Sequence, residues 1–311
     1  MIFTVQTESE RIILNRENHA LAEIYLYGGL PNRYEIRRRD GSWFNCIAAY
    51  GSPQQCRDDL TQGFRSAKLS PYVCRMNRGG YTFKDRAYRC SKYILNGHAI
   101  HGLMYDAHFQ TIGSGADENS AWAEIAADYA QDDAGFPFAY SINLLYRLDS
   151  DGLSISTTVT NTGHQAMPLA DGWHPYFMLG GQADDWCLHI NSSRQLEFNQ
   201  DLIPTGNIIA DTRFQTALSL QDIGLDNSFI LDNHSQAACI LSGNGLILSV
   251  YPDENYPIMQ IYIPPERTSV ALENLSGAPD CFNNGIGLVV LAAGQQQRFK
   301  TRYVLKASDE I

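Results

Sequence analysis

Four short segments set titratable side chains among glycine, proline or aromatic neighbours, and each could move protons. Asn96-Gly97-His98-Ala99-Ile100-His101-Gly102 carries two histidines three residues apart, framed by glycines that place them on a turn or at a strand end. Asp171-Gly172-Trp173-His174-Pro175-Tyr176-Phe177 sets His174 among aromatic rings. That company suits stacking and hydrogen bonding to a sugar, and equally an aromatic corner in a core. In Leu225-Asp226-Asn227-Ser228-Phe229, Asp226 is either a ligand or the cap of a turn. Glu273 follows Val270-Ala271-Leu272 at the end of an expected strand. Partial burial there would raise its carboxyl toward the range of a general base. An outward Glu on an alternating strand fits the same pattern. His98, His101, His174 and Glu273 are also types that zinc or manganese accepts. A turn need not converge His98 and His101 on one ion, so no required metal is expected.

The elements that must position these groups read as strands. In LSISTTVT, Leu153, Ile155, Thr157 and Val159 alternate with Ser154, Ser156, Thr158 and Thr160, and NTG at 161–163 supplies a turn. GLILSV (245–250), the polar PDENYP and IMQIYIP read as strand, turn, strand. GIGLVVLAAG and RFKTRYVL form a further pair across Gln295, Gln296 and Gln297. AWAEIAADYA sets two rules against each other. Its alanines favour helix, but Ala123, Ile125, Ala127 and Tyr129 alternate with Trp122, Glu124, Ala126 and Asp128, and the segment is read as strand. One short helix is expected where Ser52-Pro53 precedes QQCRDDL, an N-cap followed by proline at the first helical position. Turn residues recur every ten or fifteen positions, the rhythm of a sandwich or barrel. No repeat or linker divides the 311 residues, and one domain spanning 1–311 is expected.

Composition narrows the partners. Lys and Arg number 23 against 34 Asp and Glu, a net charge of −11 that repels phosphate backbones and anionic lipid. Nucleic-acid and membrane partners are therefore not expected. The seven cysteines are scattered without a CxxC, which suits free thiols in a reducing compartment. The N-terminus shows no basic segment before an apolar run, so a cytoplasmic protein is expected. There is no GxxxxGK[ST], GxGxxG or GxSxG, and the common nucleotide-binding and α/β-hydrolase chemistries lose support.

IHG, HPYF, LDNSF and ALEN, in this order between residues 100 and 274, together resemble the aldose 1-epimerase (galactose mutarotase) family. PYVCRMNRGGYTF (71–83) resembles that family's arginine-bearing segment, Gly135-Phe136-Pro137-Phe138 its GFP-type turn, and AEIYLYGGLPNRYEI its glycine-containing opening strands. The resemblance spans roughly residues 20 to 305 and implies an all-β fold, a large twisted antiparallel β-sandwich with an open sugar cleft. It settles AWAEIAADYA as strand. It further implies Glu273 as catalytic base, His174 as catalytic acid, His101 as the other active-site histidine, and Arg75 and Asp226 as sugar-hydroxyl ligands. His98 has no counterpart.

The implied activity is an isomerase that interconverts the anomers of a free hexose such as glucose or galactose, without cofactor or metal, as a monomer or homodimer. Leu103 stands where the family often has a second glycine, Cys74 where asparagine commonly precedes the arginine, and Asn274 where proline is frequent; each is expected to alter cleft shape. Two alternatives remain. The run Arg75, Arg78, Lys84, Arg86, Arg89 and Lys92, against the single acid Asp85, would suit a hexose 6-phosphate, or is simply a solvated face. A non-catalytic carbohydrate-binding protein on the same scaffold is the other.

Overall fold

Alternation translates directly into layers. Along the strand Gly152–Asn161, Leu153, Ile155, Thr157 and Val159 are buried, while Ser156, Thr158 and Thr160 are only half-buried. Along Ser120–Asp128, Ala121, Ala123 and Ile125 are fully buried. There the tertiary gain from one buried face overrides the helix preference of alanine. The computed structural model describes residues 2–308.

Two large antiparallel sheets dominate. The nine-stranded sheet runs from the edge strand Gln110–Ala116 through Ser120–Asp128, Tyr140–Asp149 and Gly152–Asn161 to the long Gln296–Ala307. It continues through Leu246–Pro252, Cys239–Gly243 and Cys187–Ile190 to Leu218–Ser219. The eight-stranded sheet has the order Pro204–Ala210, Arg194–Phe198, Asp226–Ile230, Ile258–Tyr262, Val270–Leu275, Gly172–His174, Ala67–Leu69, with Tyr176–Phe177 also paired to Val270–Leu275. Aromatic side chains fill the space between them: Phe177 meets Tyr303 edge to face at 5.2 Å, and Tyr146 meets Trp173 at 6.4 Å. A five-stranded meander, Phe3 to Asn45, packs its apolar residues into the same core. The fold is the large antiparallel β-sandwich expected.

The short helix forms at Pro53–Asp59, with Ser52 Oγ accepting the Gln55 N–H at 3.1 Å. One strand reading needs revision. Val289–Leu291 pairs with Met167–Leu169 rather than with Gln296–Ala307. The latter lies between Gly152–Asn161 and Leu246–Pro252, so both of its edges are hydrogen-bonded where a hairpin would satisfy one. Leu246–Pro252 and Ile258–Tyr262 are both strands but belong to different sheets, and the polar turn between them carries the chain across the sandwich. Among the described residues no helix is long and apolar enough to cross a membrane.

Candidate active site

Strand pairing assembles the site on the outer face of the eight-stranded sheet. Ser228 pairs with Gln260, and Gln260 with Glu273. The flanking pairs Gly172–Leu275 and Tyr176–Ala271 bring His174 level with Glu273. Opposed residues in adjacent strands share a face, so Ser228, Gln260, Glu273 and His174 form one row across four strands. Asp226, Tyr262 and Tyr176, each two residues along, form a second row on that face. Val270, Leu272 and Asn274 point the other way, into the sandwich, where Asn274 Oδ1 accepts from Tyr303 Oη at 3.3 Å.

Apart from Ser228, the two rows floor a cleft of about 420 Å³ that also meets Arg75 and His101. His174 Nε2 lies 3.3 Å from Glu273 Oε1. The imidazole is held flat against Tyr176 (4.9 Å, 22°) and edge-on to His101 (4.8 Å, 89°). Burial pushes the Glu273 carboxyl well above the usual carboxylate range, and the nearby Asp226 charge adds to it. Burial also pulls His174 down to about 4, and His101 well below the ordinary imidazole range. Taking charge out of water favours the neutral form of each group. Asp226 is raised for the same reason, opposed by Arg75 and by a hydrogen bond from Gln260.

The loop before His98 and the segment after it complete one wall. His101 has φ 64 and donates its N–H to the Cys74 carbonyl at 2.9 Å. Gly102 follows with φ +78; a Cβ there would stand 2.3 Å from the Ser70 carbonyl oxygen, so only glycine permits this close approach. Cys74 Sγ is 3.8 Å from Glu273 Oε2, and the Arg75 guanidinium reaches the cleft without a hydrogen bond or ion pair to any described residue.

All five candidate residues, Glu273, His174, His101, Arg75 and Asp226, thus meet in one cleft. His98 does not. Its Nδ1 accepts the Arg78 N–H at 3.2 Å, which fastens the Arg78 turn (φ 51). Of the three departures only Cys74 lines the cleft. Leu103 is buried in the core and Asn274 faces the opposite sheet, so neither shapes the cleft wall directly. Of the basic run only Arg75 reaches the cleft. Lys92 is engaged by Asp106, Asp132 and the Leu103 carbonyl, and Lys84, Arg86 and Arg89 lie on or beside a hairpin away from it.

Gln260 was missed as a functional group in the sequence, and Cys74 was marked only as a change in cleft shape. Gln260 left a signal: in IMQIYIP it alternates with Met259 and Ile261, both fully buried, which marks it as the polar face of a strand. The contact of Cys74 with Glu273 left none, because it joins positions far apart in the chain. Among the described residues no group of three or more His, Cys, Asp or Glu side chains converges to hold a metal.

Comparisons with known proteins place the chain and its fold. A family model described as Aldose 1-epimerase matches residues 10–304. The Escherichia coli K12 protein YihR is 25% identical over 249 residues, which cover 74% of this chain and 75% of YihR. A galactose mutarotase-like protein from Clostridium acetobutylicum shares the fold with a TM-score of 0.83 at 16% identity, covering 98% of each chain. The galactose 1-epimerase of Lactobacillus acidophilus superposes with a TM-score of 0.80 at 17% identity, again covering 98% of each.

Proposed function

Since the chain belongs to the aldose 1-epimerase family, we propose that it is a cofactor-independent mutarotase that interconverts the α and β anomers of a free, neutral aldose. The observation that carries this reading is the His174–Glu273 pair, 3.3 Å apart on the cleft floor. Mutarotation needs one proton removed from the C1 hydroxyl and one delivered to the ring oxygen. In ring opening, the Glu273 carboxylate takes the O1 proton. The C1–O5 bond breaks with its electron pair passing to O5 as O1 becomes the aldehyde oxygen, and imidazolium Nε2 of His174 protonates O5. Rotation about C1–C2 presents the other face of the aldehyde. Closure re-forms C1–O5, with the protons returning to the groups that exchanged them.

The electrostatics of the cleft fit a pair that shares one proton. Burial favours protonated Glu273 and neutral His174, the form that drives ring closure. Moving that proton to His174 gives the form that drives ring opening. Because the reaction runs both ways through the same groups, both tautomers are productive. Arg75 and Asp226 hold hydroxyls in this reading, and His101 orients His174 through its edge contact.

A free aldose is favoured over a phosphorylated one because Arg75, the single cation lining the cleft among the described residues, is offset by Asp226, and the proton-sharing Glu273–His174 pair adds no net positive charge. The test is polarimetry on freshly dissolved α-D-glucose, α-D-galactose and a panel of common aldoses. Acceleration over buffer is expected for at least one, and none would sink the reading.

A further inference from the structure

Ser228 is fully buried and does not line the cleft, yet it sits in the same cross-strand row as Gln260, Glu273 and His174. Its Oγ–H donates to Gln260 Oε1 at 2.5 Å, and Gln260 Nε2 donates to Asp226 Oδ1 at 2.6 Å. We propose that Ser228 is a positioning residue that fixes which way the Gln260 amide faces and thereby sets the hydrogen-bonding polarity of the hydroxyl-binding end of the cleft.

An amide offers an acceptor oxygen at one end and two N–H donors at the other, and the two ends are nearly equal in shape. With its oxygen turned toward Ser228, Gln260 must turn its nitrogen toward Asp226. One N–H then holds the carboxylate and the second is available to the cleft that Gln260 lines. A substrate thus meets a donor from Gln260 beside an acceptor from Asp226, an arrangement matched to neighbouring hydroxyl groups. Without the serine hydroxyl the amide is held only at its Asp226 end, and its oxygen is left buried without a donor, free to swing out of place. A reversed amide would set oxygen against the Asp226 carboxylate and offer the sugar two adjacent acceptors. The Gln260 bond also opposes the burial that raises the Asp226 carboxyl, so a reversed amide would let it rise further.

This inference rests on the mutarotase reading only for the identity of the ligand, and its test separates the two. Kinetics and calorimetric sugar binding are measured for the wild type, Ser228→Ala, Ser228→Thr, Gln260→Ala and the Ser228→Ala/Gln260→Ala double variant. Ser228→Ala is expected to raise KM and Kd about tenfold, the change made by one mid-sized hydrogen bond, with kcat within about twofold. Ser228→Thr, which keeps the hydroxyl, is expected to restore affinity. Adding Ser228→Ala to Gln260→Ala is expected to change nothing further, because the amide it orients is gone. Hydrogen exchange of the Gln260 side-chain amide, followed by nitrogen-15 NMR, is expected to be slow in the wild type and fast in Ser228→Ala, and it needs no sugar. Wild-type amide exchange in folded Ser228→Ala overturns the lock, as does an equal Ser228→Ala loss in the Gln260→Ala background. If Ser228→Ala does not fold, fast amide exchange in the wild type, or in folded Ser228→Thr, overturns it. A wild type that exchanges slowly but neither binds nor interconverts sugars leaves the lock standing and sinks the function.

Discussion

At the scale of single residues, the division of labour rests on the neutral-leaning Glu273 and His174. Glu273→Gln keeps the shape and hydrogen bonding of the carboxyl but removes the base, and kcat should fall ~10²–10⁴-fold with KM little changed. His174→Asn should do likewise. By contrast, Asp226→Asn and Arg75→Ala should act mainly on KM, since hydroxyls are held in ground and transition states alike. In the proposed mechanism the pair works with one proton, and this fixes the expected pH dependence. The acid limb of kcat/KM should lie near pH 4, where His174 takes a second proton. The alkaline limb should lie above the ordinary carboxylate range, where raised Glu273 loses the shared one. A pH–rate series checks both, and residual activity of Glu273→Gln should lose the alkaline limb. His98→Asn serves as a control. An amide oxygen can accept the Arg78 N–H in place of Nδ1, so the rate should stay near wild type, and a collapse would mean that the roles are wrongly divided.

At the scale of elements, what matters is how firmly the His174 strand is held. Lys68, opposite Trp173 in the pairing Ala67–Leu69 with Gly172–His174, is fully buried. Its Nζ donates to Asp171 Oδ1 at 2.5 Å and to the Gly172 carbonyl at 3.0 Å, and lies 4.5 Å over the Trp173 ring. Tyr256 Oη donates to the same Asp171 oxygen at 2.6 Å. Lys68→Met would leave a buried carboxylate without its cation, a loss of ~3–5 kcal/mol that urea unfolding would read directly. Gly102→Ala should lower both thermal stability and kcat/KM, because the added Cβ drives the chain off Ser70 and carries His101 with it. These elements were unequally legible in the sequence. Strands with clean alternation, such as Gly152–Asn161, could be read from one face of buried side chains. Partnership could not. Nothing local in RFKTRYVL says that its neighbours are residues 153–160 and 246–252, because pairing depends on edges that only the rest of the fold supplies. The site divided along the same line. Glu273 and His174 were candidates by type and setting, given roles only by the family resemblance of their motifs, whereas Gln260 and Ser228 act through cross-strand hydrogen bonds, and Cys74 through a contact with Glu273, that residue type does not reveal.

For the molecule as a whole, charge and topology set the terms. A net charge of −11 and a cleft whose single cation, Arg75, is offset by Asp226 disfavour an anionic ligand before it reaches the floor. In competition, glucose should therefore be preferred over glucose 6-phosphate; clear preference for the phosphate would reverse the substrate assignment. The row that carries the chemistry has a separate consequence for how the protein comes to life. His174 and Glu273 stand roughly a hundred residues apart in the chain, and bringing such distant strands into register is the slow part of β-sheet folding. Arg75 and Asp226 arrive from two further regions. No early hairpin holds even two of the proton-moving groups, so a half-folded chain has nothing to catalyse with. On dilution from denaturant, turnover should reappear only with the last phase of tryptophan fluorescence recovery, as Trp173 enters the core beside His174. On the proposed function, activity would thereby be a report of finished assembly.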